Sequence, residues 1–284
     1  MRALDHIVFN ARDRMDEVAA LFERLGFFVT ARGHHSLGSI NHTVVFESDY
    51  LELLGYPPGA PPERRPELVS RPLGLMATVL RSIDADGTHA ELMRAGLVPR
   101  PVQTFSRPVE MTGGAIADAS FRVTRLEPDA VPGSWFYFCQ HLTPGLVWRR
   151  EWQRHANGAC AMAVLDIGLP DVESAAPLYQ ACTASAATRV NDALVFQLDA
   201  AQLRLATAAA GAGAGMTGLS FYVPSLERLR SRFLRDGIRF AWHGAAMDID
   251  PEETFGCRLQ FVLQRDQALV QSTQSSCTFT APGH

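Results

Sequence analysis

A strand, a helix cap, an amphipathic helix and a stop recur four times along the chain, and this recurrence constrains the fold more than any other feature. In the first unit Leu4-Asp5-His6-Ile7-Val8-Phe9 reads as an apolar strand and Asp13 as the cap; residues 16–25 read as a helix that stops at Gly26. Acidic residues in the first turn and glycine just past the last are helix start and stop signals. The order returns at 75–80 with Asp84 and Gly96, and at 160–167 with Asp171 and a weaker break at Thr183. It returns again at 217–223 with Ser225 and Gly237. Cap and stop lie 13 residues apart in the first unit and 12 apart in the others. Further strand patterns follow each helix, in the first unit at 27–31, 40–46 and 50–54. Glu47-Ser48-Asp49 between the last two is a hairpin signal. Each unit is expected to be β-α-β-β-β, which makes the fold class α+β with a quasi-symmetric plan.

Residues 57–72 are a proline-rich connector between units one and two, and 208–216 (AAAGAGAGM) a flexible one between units three and four. The chain has 284 residues and 47% hydrophobic content, enough for about two domains with sizeable cores. The expected division is 1–150 (units 1–56 and 73–150) and 158–270, with 271–284 as a loose tail. A net charge of -4 leaves no basic field for nucleic acid. Every one of the 26 basic residues is arginine, which excludes lysine Schiff-base chemistry. The five cysteines (139, 160, 182, 257, 277) form no CxxC pair, so neither a disulfide framework nor a zinc ribbon is expected, and a reducing cytoplasm fits. Neither a signal peptide nor an 18-residue apolar span is read, so no membrane partner is expected.

The opening Leu4-Asp5-His6, the loop from Gly33 through His34, His35 and Gly38 to Asn41, and Tyr50-Leu51-Glu52-Leu53 carry a resemblance. With four β-α-β-β-β units, they resemble the vicinal oxygen chelate superfamily, and within it the glyoxalase-like domain branch. The superfamily also holds glyoxalase I, extradiol dioxygenases and bleomycin-resistance proteins. The match is good over 1–55, looser over 74–150, and rests on element order alone over 158–270. The resemblance implies two domains whose mixed sheets curl around a cavity, with metal ligands on the first and last strand of each paired unit.

That rule places His6 on the first strand of unit one and Glu52 on its last. Strand alternation puts Leu4, His6 and Val8 on one face, and Tyr50, Glu52 and Leu54 on one face. A carboxylate among apolar neighbours needs compensation, from a metal or an arginine. The first strand of unit two offers only Met76 or Ala77 at the matching position; its last strand, 135–141, offers His141 with Tyr137 and Cys139 on the same face. The expected metal set is His6, Glu52 and His141, with room for Fe(II), Mn(II), Zn(II) or Ni(II). Such an ion acts as a Lewis acid toward two neighbouring substrate oxygens.

Glu52 is also the expected catalytic carboxylate. Substrate contacts are expected from His35, Asn41, Arg122, Tyr137, Cys139 and Trp148, the last on a lid or packing segment. An inward Arg122 would hold a carboxylate or enolate; the alternative is an outward, solvated one. His89 and His155 read as surface residues, and Cys160, Cys182 and Cys257 as inert core thiols. Units three and four carry no matching ligands, so the second half is expected to be a degenerate copy that supports folding, closes the pocket or makes a dimer contact. The expected function is a metal-dependent lyase or isomerase acting on a small-molecule substrate, less so a dioxygenase. The alternative is a metal-free binding protein of the bleomycin-resistance kind.

Overall fold

A computed structural model of the chain describes residues 1–35, 38–110, 114–264 and 279–280. Its elements follow the four-unit plan. Unit one is β1 (Leu4–Arg12), α1 (Met15–Arg24), β2 (Gly33–His34), β3 (Ile40–Val45) and β4 (Tyr50–Gly55). The short α2 (Glu67–Ser70) interrupts the proline-rich connector. Unit two is β5 (Gly74–Arg81), α3 (Ala85–Arg94), β6 (Gln103–Glu110), β7 (Ile116–Arg125) and β8 (Trp135–His141). Unit three is β9 (Ala161–Leu169), α4 (Val172–Thr183), β10 (Thr188–Val190), β11 (Ala193–Leu198) and β12 (Ala201–Thr207). Unit four is β13 (Gly215–Val223), α5 (Leu226–Arg235), β14 (Phe240–Trp242), β15 (Ala246–Ile249) and β16 (Arg258–Leu263). Of the expected tail, only β17 (Phe279–Thr280) falls among the described residues; it pairs with β14. Cys277 lies outside them.

Two mixed sheets result, ordered β2-β3-β4-β1-β5-β8-β7-β6 and β10-β11-β12-β9-β13-β16-β15-β14-β17. The plan is the same in both. Each unit's first and last strands pair in parallel, and the two first strands pair antiparallel at the sheet centre. The first sheet curls until its edge strands β2 and β6 touch. One of its faces carries Ile7, Phe9, Leu51, Leu53, Phe136 and Phe138, which join the second sheet and the helices in a single core. Phe27 lies 4.9 Å from Phe221, and Phe136 lies 5.5 Å from Tyr179, across that junction. The other face carries Val8, Tyr50, Val79, Tyr137 and Cys139 and turns inward on a smaller cluster.

Asp84, Asp171 and Ser225 cap α3, α4 and α5, each accepting a backbone N–H near the helix start. The first helix departs from the pattern. Arg14 is its N-cap residue, with no side-chain cap bond, and its guanidinium pairs with Glu17 instead. Gly26, with φ +87°, supplies the left-handed turn that ends it. Residues 27–31, expected as a strand, form none. The Phe28 N–H is taken by His155 Nδ1 at 2.9 Å and is lost to any ladder. His155 is accordingly not a surface residue. It also reaches the Val45 carbonyl at 3.1 Å and packs on Phe27 and Phe46, and burial pushes its pKa down to about 4. Cys182 is buried, whereas Cys160 and Cys257 are only partly so.

Candidate functional site

The register of β1 against β5 slips between Leu4 and His6, leaving Asp5 as an extra residue in the strand. A bulge of this kind bends the strand and re-aims side chains. Leu4 therefore joins the shared core with Ile7, rather than the face of His6 and Val8 that strict alternation predicts. Asp5, which alternation sends to the opposite face, turns beneath His6. It is completely buried. His6 Nδ1 donates to Asp5 Oδ1 at 2.7 Å, and His141 Nε2 donates to the same oxygen at 3.0 Å. Arg81 Nε adds a bond to Asp5 Oδ2 at 3.3 Å. Burial alone would raise the pKa of Asp5. The bonds from His141 and His6 outweigh it and hold the carboxyl well below the usual range. Because Asp5 accepts, the Nδ1 of His6 carries the proton and Nε2 is free to face outward.

Glu52 is held in the same way. On β4 it lies opposite Thr43 and beside Val8, and Asn41 Nδ2 donates to Glu52 Oε1 at 2.8 Å. Burial would raise the Glu52 pKa, but the neighbouring imidazoles of His6 and His35 and the Asn41 bond bring it down. Gly33 makes room for this arrangement: a Cβ there would stand 2.3 Å from Asn41 Oδ1. His6 Nε2 and Glu52 Oε2 are 3.8 Å apart. That is too long for a hydrogen bond. It is within reach of two bonds of about 2.0–2.2 Å to one ion.

Both groups line a cavity of about 440 Å³ on the inner face of the first sheet. His35, Tyr137 and Cys139 line it too. His35 Nδ1 is engaged with Ser39 Oγ at 2.8 Å, and burial pushes its pKa down to about 4, so it is neutral at physiological pH. Tyr50 stacks on His6 at 4.3 Å, its partner in the β1–β4 register. On the neighbouring strand β5, Val79 pairs with His6 in the β1–β5 register. Among the described residues, unit two adds no carboxylate or imidazole to the cavity lining to match His6 and Glu52.

The other expected contacts fall elsewhere. His141 does share a face with Tyr137 and Cys139, but its Nε2 is spent on Asp5 and its Nδ1, beside Trp148, is buried with no partner among the described residues. It supports His6 from behind instead of meeting His6 and Glu52 at one point. Asn41 touches Glu52 rather than the cavity. Trp148 packs on Tyr50, His141 and the Arg81 guanidinium, behind the wall. Arg122 points outward and makes two bonds to Asp86 on α3, at 2.8 and 2.9 Å, so it does not enter the cavity. Burial pushes the Cys139 thiol well up, which removes it as a nucleophile.

Two places can be weighed as metal sites. Asp5, Cys139 and His141 bring ligand atoms within 4.8 Å of one another. They fit an ion poorly: burial pushes the thiol pKa well up, and the Asp5 oxygens already accept from two imidazoles and a guanidinium. His6 and Glu52 fit better, because each is fixed from behind and offers one free atom to the cavity, with neutral His35 nearby. In the second sheet, Asp166 pairs with Arg204 (2.6 Å) and Arg258 (3.2 Å). Asp248 pairs with Arg258 (2.8 Å), so these carboxylates are satisfied internally.

Residues 4–183 match the family model described as a glyoxalase-like domain. A search of curated proteins returns no match. Among solved structures, the chain is similar to a hypothetical protein from Staphylococcus aureus. The TM-score is 0.69 at 10% identity, covering 93% of this chain and all of that one. It is similar to a xylose isomerase-like TIM barrel/4-hydroxyphenylpyruvate dioxygenase fusion protein, with TM-score 0.62, 15% identity and 94% of this chain covered. It spans 49% of that longer protein. A mutant 4-hydroxymandelate synthase from Streptomyces coelicolor gives TM-score 0.59 at 12% identity, with 92% of each chain covered. At these identities the likeness establishes the vicinal oxygen chelate fold. No helix among the described residues is long and apolar enough to cross a membrane.

Proposed function

The chain belongs to the glyoxalase-like domain family, and on that premise we propose that it is an enzyme of the lyase or isomerase type. In this reading it moves a proton on a small oxygen-bearing substrate in the cavity of the first sheet. The observation that carries the reading is the pair His6 Nε2 and Glu52 Oε2, 3.8 Å apart, each locked by a partner behind it. A divalent ion held by His6 and Glu52, with His35 as a neighbouring donor, would polarise a substrate carbonyl as a Lewis acid. Glu52, its pKa held down by the Asn41 bond and the imidazoles around it, is the group that accepts a proton from the carbon beside that carbonyl. His35, kept neutral by burial, shares a proton with a substrate oxygen. Tyr50 and Asp5 keep the His6 ring and its tautomer fixed.

The test is equilibrium dialysis of the chelator-stripped protein against Mn(II), Fe(II), Zn(II) and Ni(II). One ion per chain is expected for the wild type. Glu52→Gln should lose it while melting within about 2 °C of wild type, since the amide oxygen of the variant still accepts from Asn41. If the wild type holds no ion, the enzyme reading loses its basis. The apolar Val79 beside His6 on the neighbouring strand then favours a metal-free small-molecule binding protein.

A further inference from the structure

Beyond His6 and Glu52, the cavity is strongly cationic for its size. Arg65, Arg107 and Arg125 line it, against Glu52 as the one carboxylate among the described residues of the lining. Arg65 is matched by Glu67, with Nε donating to Oε1 at 2.5 Å. The other two lack such partners: among the described residues neither Arg107 nor Arg125 makes an ion pair. Arg125 donates from Nη1 to Gln103 Oε1 at 2.6 Å, and its guanidinium lies 5.8 and 5.3 Å from the Phe105 and Tyr137 ring centres. A half-buried guanidinium facing rings and an amide is under-compensated. Burial accordingly pushes its pKa down.

Tyr137 gives the independent sign. It is 6% exposed, it lines the cavity, and its Oη has no hydrogen-bond partner among the described residues. Buried hydroxyls are rarely left unpaired, and one on a residue that lines a cavity calls for an acceptor on a ligand. Phe105 and Phe121 stack 5.3 Å apart along the same lining and supply a flat apolar surface. A volume of about 440 Å³ admits a small organic molecule.

We infer that this side of the cavity is a carboxylate subsite, in which Arg125, Arg107 and the Tyr137 hydroxyl receive the anionic end of a substrate whose apolar body lies on Phe105 and Phe121. The inference rests on the cavity assigned above and narrows its substrate to small organic carboxylates. The anionic end sits on β6, β7 and β8, while the opposite end of the same molecule reaches His6 and Glu52 on β1 and β4. A carboxylate takes a forked guanidinium and a hydroxyl together, which a neutral amide does not.

The experiment uses the full chain in chelator, so no ion contributes. Phenylacetate, phenylacetamide and inorganic phosphate are titrated calorimetrically into wild type, Arg125→Gln and Tyr137→Phe. Wild type is expected to bind phenylacetate at least about tenfold more tightly than the amide. Both variants should erase that preference. Tyr137→Phe removes only an unpartnered hydroxyl, so its melting temperature should not fall, which separates loss of binding from loss of fold. No phenylacetate binding, equal affinity for the amide, phosphate bound as tightly as phenylacetate, or a preference retained in both variants would each overturn the subsite. Zn(II) titration of the same proteins reads His6 and Glu52 alone. Glu52→Gln should lose the ion yet keep the carboxylate preference, so the two readings fail separately.

Discussion

Replacing Asp5 with Asn tests the buried bridge on which the site stands. Asp5 is completely buried and takes bonds from two imidazoles, at 2.7 and 3.0 Å, and from Arg81 at 3.3 Å. Asn has nearly the same shape but only one oxygen, and its NH2 would face a donor where Asp5 presents an accepting oxygen. One charge-assisted bond, worth about 1.5–3 kcal/mol, is lost outright. Arg81 and the second imidazole lose their counter-charge, so the total should be roughly 3–5 kcal/mol. In a chain of this size that is a fall in melting temperature of roughly 6–20 °C. The Asp5 pKa is depressed in the folded state, so its stabilisation is present above the unfolded value near 3.9. It is lost as pH falls toward the folded value. Wild type should therefore lose stability below about pH 4 more steeply than Asp5→Asn. Zn(II) affinity should drop roughly 10–100-fold, because Asp5 orients His6. Calorimetry, urea unfolding followed by tryptophan fluorescence, and Zn(II) titration read the three effects. A stability loss below about 1 kcal/mol with unchanged Zn(II) affinity would refute the reasoning.

Two further substitutions probe neighbouring features. Asp49, 1% exposed and bonded to the Met162 N–H at 3.2 Å, has its pKa raised to about 7 by burial. Its folded pKa exceeds its unfolded one, so wild type should lose stability from about pH 4 to about pH 7, on the order of 4 kcal/mol at most. Asp49→Asn should lack this decline, and superimposable pH profiles would count against it. Gly33→Ala puts a Cβ 2.3 Å from Asn41 Oδ1 and should force the amide off Glu52, costing about 1–3 kcal/mol and weakening Zn(II) binding. In Asn41→Ala the added methyl should cost much less; equal penalties in both backgrounds, by urea unfolding, would show that the clash is not the cause.

The four-unit plan is legible because it is local. Caps at Asp84, Asp171 and Ser225 and stops at Gly26, Gly96 and Gly237 are written within a dozen residues of each other. The His6 and Glu52 positions follow from that plan together with the family resemblance. What escapes is decided by contacts between distant segments. The Asp5 bulge arises from β1 pairing with β5 and leaves no trace in residues 4–12, so alternation misplaces Leu4 and passes over Asp5. His141 is on the expected face, but its partner is Asp5, 136 residues away. Arg122 is expected as a substrate contact, whereas Asp86 at the first turn of α3 draws it out. The cavity arginines are not singled out in the sequence because they come from a connector and two separate strands, β6 and β7, which only the curl of the sheet brings together.

In the proposed reading, His6 Nε2 and Glu52 Oε2 form the ligand pair, with His141 in support. Anomalous diffraction at the zinc edge, from crystals equilibrated with Zn(II), tests it most directly. The account predicts a single peak at about 2.0–2.2 Å from both His6 Nε2 and Glu52 Oε2. A peak among Asp5, Cys139 and His141, or an empty cavity at saturating Zn(II), would contradict it.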